Sequence, residues 1–311
     1  MAKKSISKKK ANPILALVFV GLIVVIGIVI IFISRAANPA TDPLHACYPN
    51  AFCDPNNKPV LLNGTNIRFV GQQTSYTSST QMQKIKSKGF NVVRFALRWN
   101  LYQPSAGPTG FDATAFNNLR TAVNNAKAAG IYVILDPIHF AGDGTSCSSL
   151  SGCIPTWAAP TTGSPVERIQ ANAKDYIQKI ASDYANEPAV AAIDLANEVR
   201  PTNYDDDLAV IKMYSTLAEQ ARAVAPNKTL MIESTTGDKL FSANALANLT
   251  VKDNMVFSYH DYFGGAYNSS GALISGCNPN GYTASGSVCG NATYENKQGY
   301  PYIDKTKLES H

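Results

Sequence analysis

Residues Ala189 to Glu198 read AVAAIDLANE, an apolar run that stops on an amide and a carboxylic acid, Asn197 and Glu198. Small and branched apolar residues in an unbroken run are the pattern of a parallel strand buried on both faces. In a (β/α)₈ barrel, the C-terminal end of such a strand is where chemistry is held. A carboxylic acid fixed there, with an amide beside it, suits protonation of a leaving oxygen on a sugar. Other polar residues close other apolar runs. Arg94 lies inside VVRFAL, Asp136 and His139 follow IYVIL, Glu233 ends TLMIE and His260 follows MVFSY. A guanidinium inside an apolar strand needs a carboxylate partner, and Asp136 and Asp194 are core acids able to supply one.

The elements that must position these residues follow a repeating beat. Short strands are expected over Ile67–Gly71, Asn91–Leu97, Ile131–Leu135, Ala189–Ala196, Thr229–Glu233 and Met255–Tyr259. Helices are expected over Thr80–Lys88, Asp112–Ala129, Val166–Tyr184, Asp205–Ala225 and Phe241–Leu249. Gly89 and Gly130 stop two of the helices, and Pro165 opens a third. Strands alternating with helices mean a parallel sheet. A doubly wound open sheet and a barrel both satisfy that pattern. No G-x-G-x-x-G turn follows the first strand and no P-loop occurs. A barrel gathers the polar strand ends at one mouth, whereas an open sheet spreads them along an edge. The expected fold class is therefore α/β, a (β/α)₈ TIM barrel. The beat supplies about six βα units where a closed barrel needs eight, so the barrel reads as truncated. Residues 303–311 (IDKTKLESH) read as the start of a further helix.

The formal charge of +5 is concentrated at one end. Residues 1–35 hold Lys3, Lys4, Lys8, Lys9, Lys10 and Arg35 and no acid, which leaves 21 basic and 22 acidic side chains elsewhere. A near-neutral body argues against nucleic-acid binding, which needs a basic face. From Ile14 to Ile33 the chain is apolar without interruption, 20 residues long. At about 1.5 Å per residue that run spans roughly 30 Å, the thickness of a bilayer's hydrocarbon layer. Five lysines precede it, so the positive-inside rule places the N-terminus in the cytoplasm and the remainder outside. The expected organisation is a basic tail over residues 1–12, a transmembrane signal anchor over 13–34, an extracellular linker over 35–58 and a partial barrel over 59–311. A cleaved signal peptide is the alternative and would leave the body secreted, but the run exceeds the roughly 7–15 residues of a signal's apolar region.

Six cysteines form three local pairs: Cys47 with Cys53, Cys147 with Cys153, and Cys277 with Cys289. An even count in an exported chain favours disulfides, although six cysteines allow 15 connectivities. The spacings do not match a zinc site, and neither a metal nor an organic cofactor is expected.

Four segments in register resemble one family. They are Gly89-Phe90-Asn91-Val92-Val93-Arg94-Phe95, Asp136-Pro137-Ile138-His139, Asn197-Glu198 and His260-Asp261-Tyr262. Together they look like family 5 of the glycoside hydrolases, the cellulase-like group of clan A, from about residue 60 to 311. The resemblance implies that Glu198 is the general acid/base. It implies that Asn197 binds the sugar's 2-hydroxyl, that His139 and His260 line the sugar site, and that Arg94 and Tyr262 hold the nucleophile. Val199 follows Glu198 where the family usually has proline. Trp99, and beside it Trp157, Tyr102 and Phe263, are aromatic candidates for stacking on sugar rings, with loop packing as the alternative. The family carries its nucleophile as a glutamate ending strand seven. Glu233 ends strand five, the wrong unit for that role. Nothing after His260 fits the pattern, so the nucleophile is expected to be absent from these 311 residues and the chain as it stands inactive.

These readings imply a membrane-anchored, extracellular, retaining endo-β-glycanase acting on a polysaccharide or oligosaccharide. Two alternatives stay open: a catalytically dead, cell-surface carbohydrate-binding protein, and a mannanase or exo-glucosidase of the same clan.

Overall fold

Five of the apolar runs form barrel strands where expected. The first barrel strand begins at Gly64 instead of Ile67, with four of its five residues exposed. The strands pair in the order in which they are made. A computed structural model describes residues 37–47, 51–68, 74–139, 154–158, 164–199, 206–233 and 241–258. In chain order the strands are β1 (His45–Cys47), β2 (Ala51–Cys53), β3 (Pro59–Val60), β4 (Gly64–Arg68), β5 (Val92–Ala96), β6 (Tyr132–Asp136), β7 (Val190–Asp194), β8 (Leu230–Glu233) and β9 (Met255–Ser258). The helices are α1 (Ser79–Ser87), α2 (Trp99–Tyr102), α3 (Ala113–Ala128), α4 (Pro165–Asn172), α5 (Lys174–Asp183), α6 (Asp207–Arg222) and α7 (Ala243–Ala247).

Strands β4 to β9 make one sheet in the order β4-β5-β6-β7-β8-β9, and every pairing is parallel. A doubly wound sheet reverses direction at a switch point. This order never reverses, which is the winding of a (β/α)₈ barrel. All five residues of β7 and all four of β8 are buried, as expected of strands covered on both faces. The core runs between the sheet and its helices. Fully burying a side chain such as Ile193 or Ile232, both at 0% exposure, contributes about 1.5–3 kcal/mol.

The helix boundaries follow local chemistry. Ser78, Asp112, Ser164, Asp206 and Ser242 each accept a backbone N–H of the following first turn, and Ser164 with Glu167 completes a reciprocal capping box. Pro165 takes the first helical position of α4. Gly89 and Gly130 follow the ends of α1 and α3 with φ of 87° and 70°, a left-handed conformation that glycine reaches without a Cβ clash. The single helix expected over Val166–Tyr184 is two helices with a joint at Ala173. There the Asn172 side chain donates to the carbonyls of Arg168 and Ala158. A side chain that takes a carbonyl from the helix ladder favours a bend.

The sequence predicts a linker over residues 35–58. From Asn38 they are instead built into the fold. β1, β2 and β3 form a small antiparallel sheet, and the Cys47–Cys53 disulfide ties β1 to β2 with a Cα separation of 5.9 Å. Three hydrogen bonds fasten this segment to the barrel. Tyr132 Oη donates to the Asp42 carbonyl at 2.9 Å, Thr229 Oγ1 to the Leu44 carbonyl at 3.0 Å, and the Ala46 N–H to Asn254 Oδ1 at 2.7 Å. Tyr132, Thr229 and Asn254 stand where β6, β8 and β9 begin, so the small sheet sits at the N-terminal end of the barrel. Strands of two or three residues have no readable periodicity, and their fastenings reach as far as 208 residues along the chain.

Of the three disulfides expected, the structure bears on one. Cys47 and Cys53 are bonded as the sequence predicts. Cys147, Cys153, Cys277 and Cys289 lie outside the described residues, and so do the two pairings expected of them. The anchor expected over residues 13–34 lies outside them as well. Among the described residues, no helix is long and apolar enough to cross a membrane.

Two cations satisfy backbone carbonyls at the N-terminal end of the barrel. The Arg222 guanidinium donates to the carbonyls of Ala225, Pro226, Asp253 and Asn254. Lys228 Nζ donates to the carbonyls of Glu187 at 2.9 Å and Val190 at 3.0 Å. Burial lowers Lys228 from the ordinary 10.5 to about 8, with Glu187 pulling the other way. Between those two values the unfolded chain binds a proton that the folded chain does not, so stability rises with pH across that window and is flat below it. Thermal unfolding of the wild type and Lys228→Met at pH 7 to 10 tests this. The wild type should gain on the variant as pH rises above about 8, and a constant difference would contradict the linkage.

Candidate active site

Three strand ends meet around one side chain. Arg94, in the middle of β5, sends its guanidinium to acids that close three other strands. Its Nε donates to Asp194 Oδ2 of β7 at 2.8 Å, and Nη2 reaches the same oxygen. Nη2 also donates to Glu233 Oε1 of β8 at 2.7 Å and lies 3.1 Å from Asp136 Oδ2 of β6. All three carboxylates are at most 1% exposed. Burial works against the charge on Arg94, but the three carboxylates outweigh it and hold the guanidinium firmly protonated. Burial, then the Glu233 carboxylate, pushes Asp194 well above the usual carboxylate range, against the pull of Arg94.

This knot positions the predicted site residues. Arg94 Nη2 donates to Asn197 Oδ1 at 3.1 Å. His139 Nδ1 lies within hydrogen-bond distance of Asp136 Oδ2, at 2.6 Å. Beyond the ends of β6 and β7, His139 and Asn197 form an isolated parallel bridge. The turn after β7 is then tied down peptide by peptide. The Leu195 N–H donates to the Met231 carbonyl at 2.9 Å, and the Asn197 N–H to the Ile138 carbonyl at 3.0 Å. Tyr214 Oη of α6 donates to the Ala196 carbonyl at 2.7 Å, and the Glu198 N–H donates to Glu233 Oε2 at 2.8 Å. Glu198 holds φ at 44°, a left-handed backbone that a non-glycine residue keeps only when its surroundings impose it, at about 1–3 kcal/mol. Asn197 and Val199 are buried, while Glu198 between them is partly exposed. An acid in that position reaches solvent from a rigid base.

The structure thus brings together Arg94, His139, Asn197 and Glu198. His260 and Tyr262 lie outside the described residues. Trp99 is a correction. It is 1% exposed, its ring lies parallel to Tyr176 at 6.0 Å, and Trp157 meets it edge-on at 5.7 Å. Its Nε1 donates to the buried Gln103. Trp99 is core packing rather than a platform open to a sugar, and Tyr102, at 0% exposure, is the same. Trp157 stays partly exposed and donates its Nε1 hydrogen to the Gln103 carbonyl. Glu233 is the residue that sequence reasoning missed as a site member. The available signal was that it closes a fully apolar strand, as Asp136 and Asp194 do. Among the described residues, no group of three or more His, Cys, Asp or Glu side chains is arranged to hold a metal ion.

The winding is that of a parallel α/β barrel, and the cluster lies at the C-terminal ends of its strands. The profile described as Cellulase (glycosyl hydrolase family 5) matches residues 53–303, and the chain belongs to that family. Solved structures share the fold. An endogalactoceramidase is 24% identical, with 74% of this chain and 62% of that one covered at a TM-score of 0.59. A β-glucanase from Saccharophagus degradans is 17% identical, with 73% and 64% covered at 0.53. Endo-glycoceramidase II from a Rhodococcus species, in complex with ganglioside GM3, is 15% identical, with 69% and 59% covered at 0.53. The chain therefore spans less than two thirds of the length of each.

Removing the guanidinium leaves three buried carboxylates without their cation. Arg94→Met should lose about 3–5 kcal/mol. The deficit should shrink from pH 8 to pH 5, because Asp194, without the pull of Arg94, takes up a proton in the folded state before the unfolded chain does. Denaturant melts at the two pH values check this, and an equal deficit at both would show that the carboxylates do not depend on Arg94.

Proposed function

We propose that this chain carries the general acid/base of a retaining endo-β-glycosidase and that Glu198 is that group. The supporting observation is the turn after β7. A partly exposed carboxylic acid is held at φ 44° beside a buried amide, on a backbone tied to the buried Arg94 cluster. In a retaining mechanism one carboxyl group protonates the leaving oxygen while a second attacks the anomeric carbon. The first then deprotonates the water that releases the sugar. Asn197 offers its amide to the sugar's 2-hydroxyl, and His139 lines the same site. Asp136, Asp194 and Glu233 are committed to Arg94, so the attacking carboxylate is proposed to come from outside the described residues, at the end of a seventh strand. His260 and Tyr262 complete the site in this reading.

The substrate proposed first is a β-linked glycan chain, as for a cellulase-like endo-β-glycanase, with residues 13–34 anchoring the barrel at the outer face of a membrane. A second reading is favoured by the likeness to an endogalactoceramidase and to an endo-glycoceramidase. It is also favoured by the 20-residue apolar run ahead of the barrel. Here the glycan is carried on a lipid and the bond cut joins the two.

The full-length protein, given cello-oligosaccharides and β-glycosylceramides, tests both readings. Glu198→Gln should lower hydrolysis of either unactivated substrate by about 10²–10⁴-fold, and NMR of the first product of the wild type should show the β-anomer. Unchanged turnover in Glu198→Gln, or an α-anomeric first product, overturns the assignment. Sugar binding without turnover in the wild type supports a binding protein instead.

A further inference from the structure

We propose that Glu233 is a positioning residue for proton transfer by Glu198, setting the backbone from which that acid projects. The inference rests on the acid/base reading of Glu198 and deepens it.

The two oxygens of Glu233 do different work. Oε1 accepts from Arg94 Nη2 at 2.7 Å and Oε2 accepts the Glu198 N–H at 2.8 Å. Arg94 thus fixes the direction of a carboxylate whose far oxygen captures the backbone of the reacting residue. The captured residue is the one with the left-handed backbone, at φ 44°. A left-handed residue relaxes toward the α or β basin unless a contact opposes it, and relaxation at Glu198 would swing its side chain about its own Cα. An anionic acceptor makes a stronger bond to an N–H than a neutral carbonyl does, and at 1% exposure water does not compete for Glu233. Glu233 is itself rigid. It ends β8, and the Tyr214 hydroxyl meets its backbone N–H at 3.4 Å while also holding the Ala196 carbonyl. One helix side chain therefore braces both β8 and the turn that Glu233 grips.

Proton donation matters only when the leaving group is a poor one. A sugar or lipid alkoxide needs the proton in the transition state, while a dinitrophenolate leaves without it. Misplacing Glu198 should therefore hurt the first kind of substrate selectively, whereas general damage to the barrel would lower both alike.

The experiment measures kcat/KM of the full-length protein on two substrates with the same sugar, one with a sugar leaving group and one with dinitrophenolate. Glu233→Ala, Glu233→Gln and Glu198→Gln are compared with the wild type, and near-ultraviolet circular dichroism checks the fold. Glu233→Ala should lower kcat/KM on the sugar-leaving substrate by on the order of 10²-fold, the scale of a misplacement of about 1 Å, and far less on the dinitrophenyl glycoside. Glu233→Gln should show a smaller loss with the same selectivity, because its amide oxygen still accepts the Glu198 N–H but cannot also serve Arg94. If Glu233→Ala does not fold, the selectivity of Glu233→Gln decides. An equal fall on both substrates, or no fall, overturns the inference. A selective loss in Glu198→Gln without one in the Glu233 variants sinks only the positioning role, whereas no selective loss in Glu198→Gln sinks the acid/base reading beneath it.

Discussion

A single guanidinium facing three buried carboxylates is the constraint on which the mouth of this barrel depends. Arg94 lies on β5, and its partners close β6, β7 and β8. Each acid would carry a large desolvation cost without a cation, and the cation would carry its own cost without them. The four strands can therefore settle only where all the partners converge. Convergence also fixes what lies further along the chain. Asn197 is bonded to the same guanidinium, and Glu198 is bonded through its backbone to one of the acids. An ionic arrangement that is expensive to bury becomes the frame that gives a partly exposed acid a defined direction.

The two ends of the barrel solve different problems. At the N-terminal end the polar groups to be satisfied are backbone carbonyls, and Arg222 and Lys228 do so with long flexible side chains. The small sheet closes that end with a disulfide and neutral hydrogen bonds. At the C-terminal end the polar groups are acids, held by an arginine whose planar fork fixes orientation as well as charge. Carbonyl and neutral contacts fasten one end, and a buried ionic cluster fixes the other.

Much of this is legible in the residues. Apolar runs locate five of the six barrel strands, most plainly β5 to β8, which are buried on both faces and have no alternation to obscure them. β4 escapes this signal, because it begins at Gly64 rather than the expected Ile67 and four of its five residues are exposed. Gly89, Gly130 and Pro165 mark helix ends through backbone conformations that few other residues adopt. Arg94 inside VVRFAL demands an acid, and Asp136 and Asp194 are both visible as candidates. The rest is hidden for physical reasons. The sheet of β1 to β3 has strands too short for a period, and its contacts lie with residues far along the chain. Trp99 reads the same among the aromatics whether its faces are covered or open, and only Tyr176 and Trp157 decide the matter. Glu233 closes strand five, where a nucleophile has no place, and its residue type suggests nothing more. Its grip on a backbone N–H leaves no trace in residue type or spacing.

The bond from Ala46 to Asn254 joins the first described strand to the turn that opens the last. A ribosome delivers one of these partners some two hundred residues before the other. The bonds of this segment to Tyr132 and Thr229 have their partners earlier, but the bond from Ala46 must wait for Asn254. That single bond is in this sense a late check on assembly: it engages only on a chain whose sixth barrel strand has arrived in register.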